Sequence, residues 1–167
     1  MNNLVYLLLG GNQGNIRKIF SQTIDLLNDS IGPVQEISPL YKTEPWGFQS
    51  KNSFLNQVVA IKTDFSPEKL LKEVQVIEKK FGRVRQDISN GYQSRPIDID
   101  ILFYNDEIIN LEDLVVPHPK LHLRKFTLAP LNDIAPGLNH PVLNKSISEI
   151  LRTCDDKLSV IRCSDAG

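Results

Sequence analysis

The chain opens on a continuous apolar run, Leu4 to Leu9, closed by Gly10 and Gly11. A short uninterrupted run ending in glycine predicts a buried strand that feeds a turn. From Asn15, which can cap a helix, Ile16, Phe20, Ile24 and Leu27 recur on one stripe until Asn28 and Gly32-Pro33 end the pattern, and that spacing predicts a first helix. Val34 to Lys42 and Phe54 to Thr63 are rich in β-branched and apolar residues with partial alternation. They predict two strands joined by the long loop Thr43 to Ser53. Ser66 can cap a second helix, Pro67 suits its first position and Glu68 its positive end; Leu70, Leu71, Val74, Ile77 and Phe81 mark its buried face and Gly82 closes it.

After a polar stretch from Arg83 to Ser94 the pattern changes to strict alternation in Pro96-Ile-Asp-Ile-Asp-Ile-Leu-Phe103. A period of two predicts a strand that buries Ile97, Ile99, Ile101 and Phe103 on one face and places Asp98 and Asp100 together on the other. The order β-α-β-β-α-β is that of an α+β, ferredoxin-like unit, an antiparallel sheet with helices packed on it. Beyond it, Tyr104-Asn-Asp-Glu107 turns into a short strand at Ile108-Ile109. Pro117, Pro119, Pro130, Pro136 and Pro141 then break a C-terminal extension into short helices and loops, with a last helix near Ser146 to Thr153.

Composition narrows this picture. With 167 residues, 41% hydrophobic and 23% charged, the chain predicts one folded domain over 1–167, because two cores of ordinary size need roughly twice the length. Nineteen Lys and Arg against twenty Asp and Glu leave a net charge of -1. No global positive field exists to hold nucleic acid or an anionic membrane, so any phosphate site must be local. Cys154 and Cys163 fit neither a disulfide framework nor a zinc motif, and no segment approaches the roughly 20 apolar residues that span a bilayer. The expectation is a soluble, cytoplasmic monomer that acts on small molecules.

Asp98 and Asp100 are the sharpest chemical signal, since carboxylates are poor strand formers and residues two apart project to one side roughly 6.5 to 7 Å from each other. Such a pair can hold hard cations that clamp a phosphate, or it can be a solvated sheet face. Arg83, Arg85 and Arg95 bracket the segment leading into that strand and could converge on the same anion, or simply remain solvated. His118, between Pro117 and Pro119, could donate to a phosphate or hold structure, and Arg124 follows close behind. Gly10 to Asn15 lacks the spacing of a phosphate loop and reads as a tight strand-to-helix turn. Phe54, Asn56 and Phe126 offer aromatic faces and an amide for a flat ring, although phenylalanine is by default core.

Taken together, Tyr41-Lys-Thr-Glu-Pro-Trp-Gly47, Phe54-Leu-Asn56, Gly82-Arg-Val-Arg85, Ser94-Arg-Pro-Ile-Asp-Ile-Asp-Ile-Leu-Phe103, Val116-Pro-His-Pro119 and Arg124-Lys-Phe126 resemble the 6-hydroxymethyl-7,8-dihydropterin pyrophosphokinases of folate biosynthesis. The likeness runs from Leu4 to about Leu151. It implies a ferredoxin-like fold and transfer of the β,γ-pyrophosphoryl group of ATP to the pterin hydroxymethyl oxygen, with release of AMP. It further implies that Asp98 and Asp100 hold two Mg²⁺ ions, with Arg83 and Arg95 on a mobile catalytic loop against the triphosphate. Gln75, Glu78, Arg85, Ile101, His118 and Arg124 would line the nucleotide side. Phe54 and Phe126 would sandwich the pterin while Asn56 and the segment around Thr43, Glu44 and Trp46 read its edge. Glu44, Phe54 and Tyr92-Gln-Ser94 depart from the residues common in that family.

Two other readings predict different behaviour. A nucleotidyltransferase built on the same acidic pair would release pyrophosphate and leave the nucleoside monophosphate on the acceptor. A non-catalytic ligand-binding module would need no metal.

Overall fold

The computed structural model describes residues 2–43, 53–82 and 96–163. In chain order its elements begin β1 (Asn3–Gly11), α1 (Ile16–Ser30), β2 (Val34–Ile37), β3 (Tyr41–Thr43), β4 (Phe54–Thr63), α2 (Pro67–Lys80) and β5 (Asp98–Tyr104). They continue with β6 (Ile109–Leu111), β7 (Leu114–Val116), α3 (Lys125–Ile134), β8 (Asn139–His140), β9 (Lys145–Ser146), α4 (Ile147–Thr153) and β10 (Val160–Arg162). The fold is α+β, with one six-stranded antiparallel sheet in the order β10-β3-β4-β1-β5 and β2 paired to β4.

β1 sits inside this sheet because Val5 to Leu9 are apolar on both sides of the strand, and all five are buried. Val5, Leu7 and Leu9 face α1 and α2 together with Ile99 and Ile101 of β5 and Ile97 just before it. Asn15 caps α1 by accepting from Lys18 N, and Ser66 caps α2 by accepting from Lys69 N. Ile16, Phe20 and Leu27 of the first stripe are buried, and Leu70, Val74 and Ile77 are those of the second. Gly82 follows α2 at φ +86, a left-handed conformation that suits glycine at a helix end.

Tyr6 and Leu8 of β1, with Val58, Ala60, Leu102 and Phe103, form a second apolar cluster against Leu128 and Leu131 of α3 and Ile147 and Ile150 of α4. The sheet is therefore covered on both faces, with α1 and α2 on one side and the C-terminal helices on the other. Ser146 and Glu149 form a reciprocal capping box at the start of α4, the predicted last helix.

Three local expectations are corrected. Phe103 does not share the face of Ile97, Ile99 and Ile101. Tyr6 pairs with Phe103 while Leu7 pairs with Ile101, so Leu102 is an extra residue on β5 and the alternation reverses beyond it. Val34 to Lys42 is two strands instead of one. Ser38, buried between them, donates its N–H to Val58 O of β4 and accepts from Val58 N with its hydroxyl, while Pro39 has no N–H to continue the ladder. Pro130 lies inside α3 and is buried there, although it cannot donate to the carbonyl of Phe126. Among the described residues no helix is long and apolar enough to cross a membrane.

Candidate active site

The C-terminal end of β1 creates an opening that side chains elsewhere on the sheet would fill. Gly10 pairs with Asn56 of β4 on one side and Asp98 of β5 on the other. With strands about 4.8 Å apart, the two polar residues flank a glycine gap of roughly 9 to 10 Å. A Cβ at Gly10 would approach Asn56 Oδ1 to 2.9 Å, so the absent side chain keeps the amide in place. One row further along, Leu8 lies between Val58 and Asp100. Gly10 and Gly11 thus belong to the strand, and the turn expected of them is taken by the residues that follow, with Gly14 at φ +77.

Above this gap is a cavity of about 270 Å³. It brings together Thr43, Phe54 and Asn56 from β3 and β4, Asp98 and Asp100 from β5, and Arg124 and Phe126 from the start of α3. Leu8, Gly10, Gly11 and Leu158 complete its lining. The size suits a small ring compound. Asp98 and Asp100 are half-buried against the cavity, not a solvated sheet face. Asn56 is 5% exposed. Thr43, equally buried, has a hydroxyl without a hydrogen-bond partner among the described residues. A buried hydroxyl facing a cavity without a partner favours a polar ligand edge.

Arg124 stands beside the ring of Phe126, its guanidinium carbon 5.4 Å from the ring centre, so cation and aromatic face are presented together. Tyr41, two residues before Thr43 on β3, donates to Asp133 Oδ2 of α3 at 2.5 Å. Burial, then the bond to Asp133, pushes its hydroxyl up to about 12. It stays protonated and ties β3 to α3.

The other sequence-predicted residues surround β5. Glu78 of α2 is buried, and its Oε2 accepts from Ile99 N at 2.7 Å, fixing the backbone between the two aspartates. Gln75 is exposed one turn earlier on α2, and Ile101 packs into the core beneath the acidic face. His118 N donates to Leu102 O, and His118 Nδ1 accepts from Lys120 N. Burial first, then Arg124 and Lys120, hold this imidazole below its usual range against the pull of Asp98. With Nδ1 accepting, the neutral ring carries its proton on Nε2 and is a donor. Glu44, Trp46, Arg83, Arg85 and Arg95 lie outside the described residues.

The donors at the acidic end are chemically suited to a hard cation: two carboxylates on one face, with no group of three or more His, Cys, Asp or Glu that could hold a metal among the described residues. A cation such as Mg²⁺ takes one or two carboxylates and completes its shell with water and phosphate oxygens. Sequence reasoning missed Gly10 and Leu158. A glycine inside an apolar strand was the available signal for the first; nothing local marks the second.

Comparison with known proteins agrees with this geometry. A family profile described as 7,8-dihydro-6-hydroxymethylpterin-pyrophosphokinase matches residues 6–136. The 2-amino-4-hydroxy-6-hydroxymethyldihydropteridine pyrophosphokinase of Porphyromonas gingivalis is 40% identical over 139 residues, 83% of this chain and 94% of the relative. Its namesake from Bacillus subtilis is 40% identical over 135 residues, 80% of this chain and 79% of the relative. Among solved structures, the wild-type HPPK-DHPS of Plasmodium falciparum superimposes with a TM-score of 0.71 at 20% identity, over 90% of this chain and 40% of that one, a likeness of fold. From the acidic pair beside an aromatic cavity and from these matches, the chain belongs to the 7,8-dihydro-6-hydroxymethylpterin-pyrophosphokinase family.

Proposed function

We propose that the protein transfers the β,γ-pyrophosphoryl group of ATP to the hydroxymethyl oxygen of 6-hydroxymethyl-7,8-dihydropterin, releasing AMP, as a step of folate biosynthesis. The observation that carries this reading is a single cavity lined at one end by Phe54, Asn56, Thr43 and Phe126 and at the other by Asp98 and Asp100. Phe54 and Phe126 stack on the ring, and Asn56 and Thr43 meet its hydrogen-bonding edge. The hydroxymethyl group is thereby held toward the acidic end, where its oxygen attacks the β-phosphorus. The bond from that phosphorus to the AMP oxygen breaks, and the hydroxyl proton leaves to a neighbouring carboxylate or to solvent.

Asp98 and Asp100 would hold Mg²⁺, two ions in our reading, which when bound supply positive charge against the triphosphate. Arg124 and the Nε2–H of His118 add donors on the nucleotide side with Gln75, while Glu78 and Ile101 fix β5. Arg83, Arg85 and Arg95 are assigned to the phosphates as well, Arg83 and Arg95 in the catalytic step and all three in binding. Glu44 and Trp46 are assigned to the pterin side. The order β5-β1-β4 followed by β2 and β3 supports a ferredoxin-like description, and we read 1–167 as one pyrophosphokinase domain, cytoplasmic and monomeric.

The test is incubation with ATP, Mg²⁺ and the reduced pterin, with both products identified by mass. AMP and a diphosphorylated pterin are expected. Free pyrophosphate with AMP attached to the acceptor, or no turnover, overturns the proposal.

A further inference from the structure

The segment after α4 returns to the cavity from beyond the residues that the family profile matches. It is fastened at both ends. Val160 pairs with Thr43 and Arg162 with Tyr41, Cys163 N donates to Leu40 O at 2.8 Å, and the Arg162 guanidinium lies 3.8 Å from the Asp133 carboxylate that Tyr41 also engages. At the other end the Asp156 carboxylate divides between two donors, Oδ2 accepting from Lys125 N and Oδ1 from Leu158 N, each at 3.0 Å. Between these fastenings Leu158, half-buried, lines the cavity beside Phe54 and Phe126.

The bond to Lys125 fills a local need. Lys125 is the first residue of α3, and the capping position before it is Arg124, whose side chain makes no capping bond and carries no acceptor. An acceptor and a negative charge at that helix start must come from elsewhere. Asp156 brings both from 31 residues along the chain. Arg124 and Phe126, the cavity residues at the start of α3, flank the amide it holds.

Resting on the pterin assignment made above, we propose that this C-terminal strap is part of the acceptor site: Leu158 is a ring-contacting wall that sets acceptor affinity, and Asp156 is the positioning residue that locks that wall to Phe126 and Arg124. A flat reduced pterin then meets apolar surface along its edge from Leu158 as well as on its faces. The Leu158 side chain offers nothing to the phosphates, so its truncation weakens the acceptor and leaves the nucleotide.

The experiment measures reduced-pterin affinity with Mg²⁺ and a non-hydrolysable ATP analogue present, nucleotide affinity alone, and thermal midpoint. The variants are Leu158→Ala, Leu158→Met, Asp156→Ala and Asp156→Ala/Leu158→Ala. Leu158→Ala should weaken pterin about 10-fold, the scale of one partly buried leucine side chain. Leu158→Met should restore the affinity, and nucleotide affinity should stay within about twofold. Asp156→Ala should cost pterin a similar factor. Because it already frees the wall, the double variant should be little weaker than either single variant, far short of the roughly 100-fold product that independent sites give. Unchanged pterin affinity in Leu158→Ala, or full multiplicativity in the double variant, overturns the proposal even if Asp156→Ala is poorly folded. If the unaltered protein binds no pterin under these conditions, the functional reading fails first, and the strap assignment with it.

Discussion

The two faces of the central sheet are built from the same strands and do opposite work. On the α1 and α2 side, Leu7, Leu9, Ile99 and Ile101 are almost wholly buried in an apolar layer. On the other side the same strands are divided. Tyr6, Val58, Leu102 and Phe103 pack beneath α3 and α4, while Gly10, Asn56, Asp98 and Asp100 are left around a cavity. A chemical face can carry adjacent carboxylates and a glycine gap because the opposite face supplies the packing that those residues do not.

The comparison is tested most severely by removing packing from the first face. Leu7→Ala should lower stability by about 2 to 5 kcal/mol, the range for buried leucine truncation, while activity per folded molecule changes little. Urea unfolding with active-site titration reads both quantities. A variant with intact stability and lost turnover would mean that the two faces are not separate in function. On the second face the signs should reverse. Asp98→Asn or Asp100→Asn keeps the shape and removes charge, so turnover should fall at least ~10²-fold with the thermal midpoint nearly unchanged. Retained turnover in both variants would remove these residues from metal binding.

Phe126 probes the border between the faces, since it is half-buried against the second cluster and also lines the cavity. Phe126→Ala should weaken pterin binding by about 1 to 3 kcal/mol with nucleotide bound. If the loss instead falls on the thermal midpoint, with pterin affinity intact in the folded fraction, Phe126 belongs to the core. The smallest effect is expected from Gly10→Ala. The added methyl must push the Asn56 amide aside. Pterin affinity should drop by about 1 kcal/mol with little change in turnover at saturation. Equal losses for pterin and for ATP would place the disturbance in β5 instead.

Much of this division was legible along the chain, and the legible part is local. Ser66-Pro67-Glu68 marks the start of α2 through capping chemistry that acts within one turn. The alternation from Ile97 to Ile101 separates the aspartates from the core for the same reason, a two-residue period needing no distant partner. Reading failed where a partner from far along the chain decides. The extra residue at Leu102 is defined only by pairing with β1, and it carries Phe103 to the opposite face. Pro130 stands buried in a helix against its local preference, a placement that tertiary context decides. The break at Ser38-Pro39 depends on bonds to Val58. Of the site, the acidic pair, Asn56 and the two phenylalanines carried recognisable chemistry. Leu158 did not, because an aliphatic residue becomes a cavity wall only through where β10 and Asp156 hold it.

The bond from Glu78 to Ile99 has a consequence beyond the chemistry of the aspartates. β5 ends the strand order, and a bare sheet edge is a template on which another chain can add a strand. Along this edge the amide of Ile99 is already taken by Glu78 and the carbonyl of Leu102 by His118, while the extra residue bends the strand out of a flat line. The two acidic side chains are thus displayed on a strand with two of its outward backbone groups already engaged, and Glu78→Ala, which frees one of them, would be expected to show itself first as aggregation on storage.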